Sequence, residues 1–158
     1  MSSILKVDEI QNTGGTTGLT IDSSGRALRP VIPFGQASMG NAAVSATNKI
    51  GLEYNIVSGG GLTVDQTNDK MIVPVAGLYQ IGFTHLTDNL TSTVGIEMRK
   101  NGTTIQGGKT QVKGQTYVSI GLNMIISLEA NDYIEWWAVD GTVHNNTTYN
   151  NMFCYLIG

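Results

Sequence analysis

The chain has 158 residues, a net charge of −3 and only 13% charged residues. Its nine Lys and Arg are scattered between Lys6 and Lys113, so no stretch has the basic density that neutralises a run of phosphates, and nucleic-acid binding is not expected. The single cysteine, Cys154, excludes an intramolecular disulfide and a cysteine-rich metal site. No apolar run nears the roughly 20 residues of a membrane-spanning helix, and Met1–Ile10 has neither the basic start nor the long apolar segment of a secretory leader.

Residues 1–30 read as an anchoring arm. Ile4-Leu5-Lys6-Val7-Asp8-Glu9-Ile10 has strand character, and Asn12-Thr13-Gly14-Gly15 is a turn signal. Leu19-Thr20-Ile21-Asp22 is a second short strand, closed by Ser23-Ser24-Gly25, after which Leu28 and Pro30 lead out. Two such strands bury too little to stand alone. The spaced apolar residues Ile4, Leu5, Val7, Ile10, Leu19, Ile21 and Leu28 are therefore expected to dock on sister chains, on the following domain or on another protein.

Residues 31–158 read as a β-sandwich. Val31–Ala37, Ala43–Gly51 and Met71–Val73 are weaker strands. Gly59-Gly60-Gly61 is a turn, because no Lys-Ser/Thr and no helix follow to make a phosphate loop. After the Ala76-Gly77 turn, Tyr79, Ile81 and Phe83 alternate. Val94, Ile96 and Met98 then alternate with Gly95, Glu97 and Arg99. Asn101-Gly102 is a hairpin turn, since both residues tolerate positive φ, and Thr103-Thr104-Ile105 returns from it. The clearest strand is Tyr117–Leu128. There Val118, Ile120, Leu122, Met124, Ile126 and Leu128 share one face, a period of two that a helix would scatter. Ile134, Trp136 and Ala138 alternate with Glu135, Trp137 and Val139. The closing segment Met152–Ile157 is apolar on both faces, as a strand covered on both sides would be. Roughly eight to ten strands and no helical stretch mean a sandwich or barrel.

No catalytic constellation stands out. His85 and His144 have no partner at metal-ligand spacing and read as exposed loop residues. Cys154 alternates with Met152 and Leu156 and reads as a core thiol. Asp65, Asp69, Asp132 and Asp140 fall at turns and strand ends; they read as solvated turn residues, with calcium as the other chemistry such carboxylates serve. No metal and no cofactor is expected, and the chain does not read as an enzyme. In Trp136-Trp137 one ring should enter the core and the other face outward, onto a subunit interface or a sugar. The interface is the reading preferred here. With the two-faced final strand it nominates Trp137, Phe153, Tyr155 and Ile157 as subunit contacts.

From about Ser45 onward, the order of motifs resembles the globular head of complement subcomponent q and the related tumour-necrosis-factor-like domains. The residues that carry the likeness are Pro74-Val-Ala-Gly77-Leu-Tyr79, the strand ending Met98-Arg-Lys-Asn101-Gly102, Leu128-Glu-Ala-Asn131-Asp132-Tyr-Ile134, and the closing Phe153-Cys154-Tyr155-Leu156. Asn131 and Cys154 stand where that pattern carries glycine. The likeness implies a jelly roll that trimerises, with its first and last strands near the subunit contacts. A second resemblance lies in the arm. Ser3-Ile-Leu-Lys-Val-Asp-Glu-Ile-Gln-Asn-Thr-Gly-Gly-Thr-Thr-Gly-Leu-Thr-Ile-Asp22, followed by Gly25-Arg26, is similar to the opening of many marine and cyanobacterial tailed-phage virion proteins.

Together these readings imply an all-β, jelly-roll homotrimer (residues 31–158) carried on the virion surface by its arm (residues 1–30) and assembled in the host cytoplasm. Its implied partners are itself and either a major capsid protein or a tail or portal adaptor protein. Its length leaves little room for a shaft, which favours a head decoration, cement or short head-fibre protein. The alternative is a short tail fibre or receptor-binding tip whose loops, such as Gly141–Asn150, contact host surface glycans.

Overall fold

Apolar–polar alternation governs the chain, and every regular element among the described residues is a strand. The structure is a computed structural model. It describes residues 7–11, 13–15, 17–28, 32–40, 43–88, 93–113 and 117–158. Two units result, Met1–Ile32 and Pro33–Gly158.

In the first unit, β1 (Glu9–Gln11), β2 (Thr17–Ile21) and β3 (Ala27–Leu28) form an antiparallel sheet in that order. Ile10 lies opposite Leu19, and Ile21 opposite Ala27, so one face is apolar. The β2–β3 turn is held by Asp22, whose Oδ1 accepts from the amides of Ser24 and Arg26 at 2.9 Å each, while the Arg26 guanidinium reaches Oδ2 at 2.7 Å. Leu28, read from the sequence as leading out, belongs to β3; two residues are too few to show alternation.

The second unit begins with β4 (Phe34–Ser38), β5 (Val44–Ser45), β6 (Asn48–Lys49), β7 (Tyr54–Gly59), β8 (Thr63–Asp65) and β9 (Lys70–Ile72). It continues with β10 (Gly77–Leu86), β11 (Thr93–Lys100), β12 (Thr103–Lys113), β13 (Ser119–Leu128), β14 (Tyr133–Asp140), β15 (Thr142–Val143) and β16 (Asn151–Leu156). One sheet runs β13-β10-β16-β4-β7; the other runs β12-β11-β14-β9-β8, with β6 also paired to β14. The last strand is thus inserted between β10 and β4, and the two sheets make a jelly-roll sandwich.

Between the sheets lie Tyr79, Ile81 and Phe83 of β10, Met152 and Cys154 of β16, Val94, Ile96 and Met98 of β11, and Ile134, Trp136 and Ala138 of β14. Each fully buried Leu, Ile, Phe or Met side chain stabilises such a core by about 1.5–3 kcal/mol. Trp136 is wholly buried while Trp137 points outward, as strand geometry requires of neighbours. Asn101 and Gly102 both take positive φ (51° and 80°), and Asn131 supplies the same conformation (φ 71°) at the β13–β14 turn. Asp132 ties these two turns together, accepting from Asn101 Nδ2 at 2.6 Å, the Glu129 amide at 2.7 Å and Lys100 Nζ at 2.7 Å.

Several strands exceed the sequence reading: β8 has no counterpart in it, β15 falls within the segment Gly141–Asn150 read as a loop, and two longer strands, β7 and β12, show why. β7 is an edge strand whose residues all lie at the surface or half-buried, so no alternation marks it. β12 extends to Lys113 through a stretch in which glycines and polar residues leave only Val112 apolar, and its ladder with β11 slips between Glu97 and Arg99, near Gly107 with φ 76°. The buried cluster belongs entirely to the second unit. A chain beginning at Pro33 is therefore expected to keep its β-sheet circular dichroism and a single cooperative unfolding transition.

Candidate functional site

The two sheets of the sandwich differ in charge. No Asp, Glu, Lys or Arg occurs in β13, β10, β16, β4 or β7. Both faces of that sheet are uncharged, including the face turned away from the core. The register places Leu78, Gln80, Gly82 and Thr84 of β10 on this outer face, with Asn123 and Ile125 of β13, Phe153 and Tyr155 of β16, and Phe34 and Gln36 of β4. Five of its apolar residues are substantially exposed: Ile125 (58%), Leu78 (48%), Val57 (45%), Phe34 (38%) and Tyr155 (37%).

Two glycines seat the aromatic rings on this face. Gly59 pairs with Phe34 across the β4–β7 ladder, and a Cβ on Gly59 would fall 2.6 Å from Phe34 Cζ. Gly82 pairs with Phe153, and a Cβ there would fall 2.6 Å from Phe153 Cζ. Both rings therefore lie down over a missing side chain instead of standing up from the sheet. Phe153 stacks on Tyr155 (5.8 Å, 28°), and Tyr155 Oη donates to Gln80 Oε1 at 2.6 Å. The resulting shallow depression, about 410 Å³, is lined by Phe34, Gln36, Val57, Asn151, Phe153 and Tyr155 with Gly35.

Phe153 and Tyr155, nominated from the sequence, thus lie together, and Ile157 follows them by alternation, its amide donating to Leu78 O at 2.8 Å. Trp137 does not join them. It lies on the outer face of the six-stranded sheet, with the Arg99 guanidinium 4.0 Å and Lys49 Nζ 5.7 Å from its ring. Trp137 Nε1 donates to Glu135 Oε2 at 3.3 Å, Lys49 pairs with Glu135 at 2.5 Å, and Arg99 pairs with Glu97 at 2.5 Å. The two carboxylates are buried, and each has a cation beside it. This sheet presents a wet, self-neutralised surface, and its Trp is roofed by charge.

Of the nominated arm residues, Ile4 and Leu5 lie outside the described residues. Val7, Leu19 and Ile21 are half-buried, Ile10 is exposed, and Leu28 is described by its β3 backbone alone. The sequence reading missed Phe34, Val57, Leu78 and Ile125. Their signal was the lack of charge in five separate strands, which is visible only once those strands are known to pair.

The titratable groups outside this face serve the fold. Asp65 accepts from the amides of Thr67 and Asn68, Asp69 from that of Leu52, and Asp140 pairs with Lys109 at 3.5 Å. Among the described residues, no three His, Cys, Asp or Glu side chains converge as metal ligands. Burial pushes the Cys154 thiol up to about 12, so it remains protonated in the core. His85 corrects the sequence reading. It is wholly buried on β10, stacked on Phe83 (5.5 Å), and neither ring nitrogen meets a hydrogen-bond partner.

The sandwich is similar to solved structures of murine APRIL (14% identity, TM-score 0.66, 80% of this chain and 99% of that one). It is similar also to the globular domain of zebrafish complement 1qA protein (9%, 0.61, 80% and 98%) and to Eiger TNF from S. frugiperda (14%, 0.64, 82% and 94%). At these identities the likeness is one of fold: the second unit is a TNF-like jelly roll. No protein-family model matches the sequence, and no curated protein does.

Burial holds the His85 pKa down to about 3, with Asn150 acting in the opposite direction. Its unfolded value is about 6.5, so below that pH the unfolded chain binds a proton that the folded chain refuses. Stability is expected to be full above pH ~6.5 and to fall by up to about 1.4 kcal/mol per pH unit toward pH 3. Urea midpoints measured from pH 7 to 4.5 check this; His85→Leu should remove most of the slope over that range, before carboxylates titrate.

Proposed function

We propose that the chain is a homotrimeric structural protein of a tailed-phage particle, with the jelly roll as its self-associating module and residues 1–30 as its attachment segment. The observation that carries the self-association is the charge-free five-stranded sheet. A sheet wet on one side normally shows charge there, whereas a sheet covered on both sides does not. The flattened Phe34 and Phe153 rings leave a smooth apolar surface that needs no rearrangement to pack against a partner. Contact between unlike patches of identical chains closes into a ring when the rotation permits, and the TNF-like fold supports a ring of three. The virion assignment rests on the arm's likeness to phage virion proteins, and the apolar face formed by Ile10, Leu19, Ile21 and Ala27 suits it to docking. Within this reading the expected role is a head decoration, cement or head-fibre protein with a capsid partner. Catalysis has no part in this reading.

Light scattering coupled to gel filtration should give about three times the 16.9 kDa chain mass at micromolar concentration. Ile125→Glu combined with Val57→Glu replaces exposed residues, so it should leave the subunit folded and reduce the mass to one chain. A monomeric wild type, or a variant of unchanged mass, would sink the self-association reading. The virion assignment predicts that the full chain decorates emptied phage heads and that a chain lacking residues 1–30 does not; binding only to tails would move it to the fibre.

A further inference from the structure

A second depression, about 460 Å³, lies on the sandwich where β10 ends and β13 begins, and it is lined by Leu86, Tyr117, Ser119, His144, Asn146 and Tyr149. Its size falls within the range of small-molecule sites. The aromatic strip described above centres on Tyr155, which pairs with Gln80. Leu86 lies six positions beyond Gln80 on β10, or roughly 20 Å along the strand. Asn151 of the first depression pairs with Thr84, two positions from Leu86, so the two depressions lie near each other, but they share no lining residue.

The lining is chemically selective. Tyr117 and Tyr149 are both more than half exposed (55% and 56%), an unusual allowance for two large rings beside one cavity. Tyr117 takes positive φ (56°), a conformation disfavoured for a bulky aromatic residue, and its ring meets His144 edge-on at 5.1 Å. His144 Nδ1 is buried with no hydrogen-bond partner. A buried polar group left without a partner calls for an explanation.

The loop beneath is held firmly. Asn146 Oδ1 accepts from the Thr148 amide at 2.9 Å, and the Asn150 amide donates to Asn146 O at 3.0 Å. Asn150 Oδ1 accepts from the Leu86 amide at 2.7 Å, its Nδ2 donates to His144 O, and Ser38 Oγ donates to Thr147 O at 2.8 Å. These bonds hold the loop backbone in place, which lowers the cost of binding.

Among the described residues no Asp, Glu, Lys or Arg lines the depression, so these offer no countercharge to a phosphate, sulfate or carboxylate. It offers aromatic faces, an aliphatic floor at Leu86, and a rim of hydroxyl, amide and imidazole groups. A pyranose ring has the complementary surface: polarised C–H bonds on one face, drawn to an aromatic π-system, and hydroxyls around the edge. We propose that this depression binds a neutral saccharide, one ring lying against the tyrosines with its hydroxyls toward Ser119, Asn146 and His144. The site is complete within one chain and does not rest on the self-association reading.

Saturation-transfer NMR on the full chain tests this with the methyl glycosides of glucose, galactose, mannose, N-acetylglucosamine and N-acetylgalactosamine. At least one should bind saturably in the millimolar range. Tyr149→Ala and Tyr117→Asn should each weaken it roughly tenfold or more. The second variant keeps a residue that tolerates positive φ, and neither should change the melting temperature or the oligomeric mass. The proposal is overturned if none of the five glycosides binds, if binding survives both variants, or if only sialylated or sulfated glycans bind. It is equally overturned if Tyr149→Ala changes the oligomeric mass while sugar binding stays as it was, since the ring would then belong to a subunit contact.

Discussion

A β-strand turns its side chains alternately to two faces, and in the five-stranded sheet neither face carries a charge. Much of the molecule's character depends on that constraint. The inner face packs Tyr79, Ile81, Phe83, Met152 and Cys154 into the core. The outer face is left with amides, hydroxyls, glycines and exposed rings, which water solvates poorly compared with the Lys, Arg and Glu that normally cover a sheet. The charges are gathered on the opposite sheet instead. There Glu97 and Glu135 are buried beside Arg99 and Lys49, and the surface satisfies itself. The sandwich thus has one charged, self-paired face and one apolar, charge-free face.

Glycine makes the second face usable. At Gly59 and Gly82 the missing Cβ lets an aromatic ring from the next strand lie flat. Such cross-strand pairing also shields the backbone at a position where glycine would otherwise weaken the strand. The same pairs therefore stabilise the sheet and shape its surface. Directly across from Cys154, which stands where the family-like motif has glycine, the ladder carries Gly35. The sulfur and the absent side chain are neighbours, and the core closes over both.

The sequence showed the fold well where alternation was strong. β10, β11, β13 and β14 were visible as runs of period two, β16 as a segment apolar on both faces, and the Asn101-Gly102 turn by its residue types. It was silent where burial does not alternate, as in β7, and where apolar residues are too sparse to alternate, as in the second half of β12, whose one apolar side chain is Val112. His85 was misread because a single histidine carries no mark of its surroundings; its place is fixed by the inward phase of β10 alongside Phe83. The outward Trp137 was correctly placed outside the core, but which sheet it decorates depends on pairing that one strand cannot reveal. Phe153 and Tyr155 were legible through the two-faced β16. Their companions Phe34, Val57 and Ile125 come from strands far apart in the chain and share a face only through the register.

The position of β16 has a further consequence for how the molecule is made. This strand fills the gap between β10 and β4, so the sheet has no continuous ladder until residues near 150 meet residues near 35. Closing so long a loop costs chain entropy before any contact repays it, which places the fold among the slower topologies. A nascent chain still lacking β16 has two unfilled strand edges and no finished aromatic surface. Completion of the jelly roll therefore waits for synthesis to pass this segment.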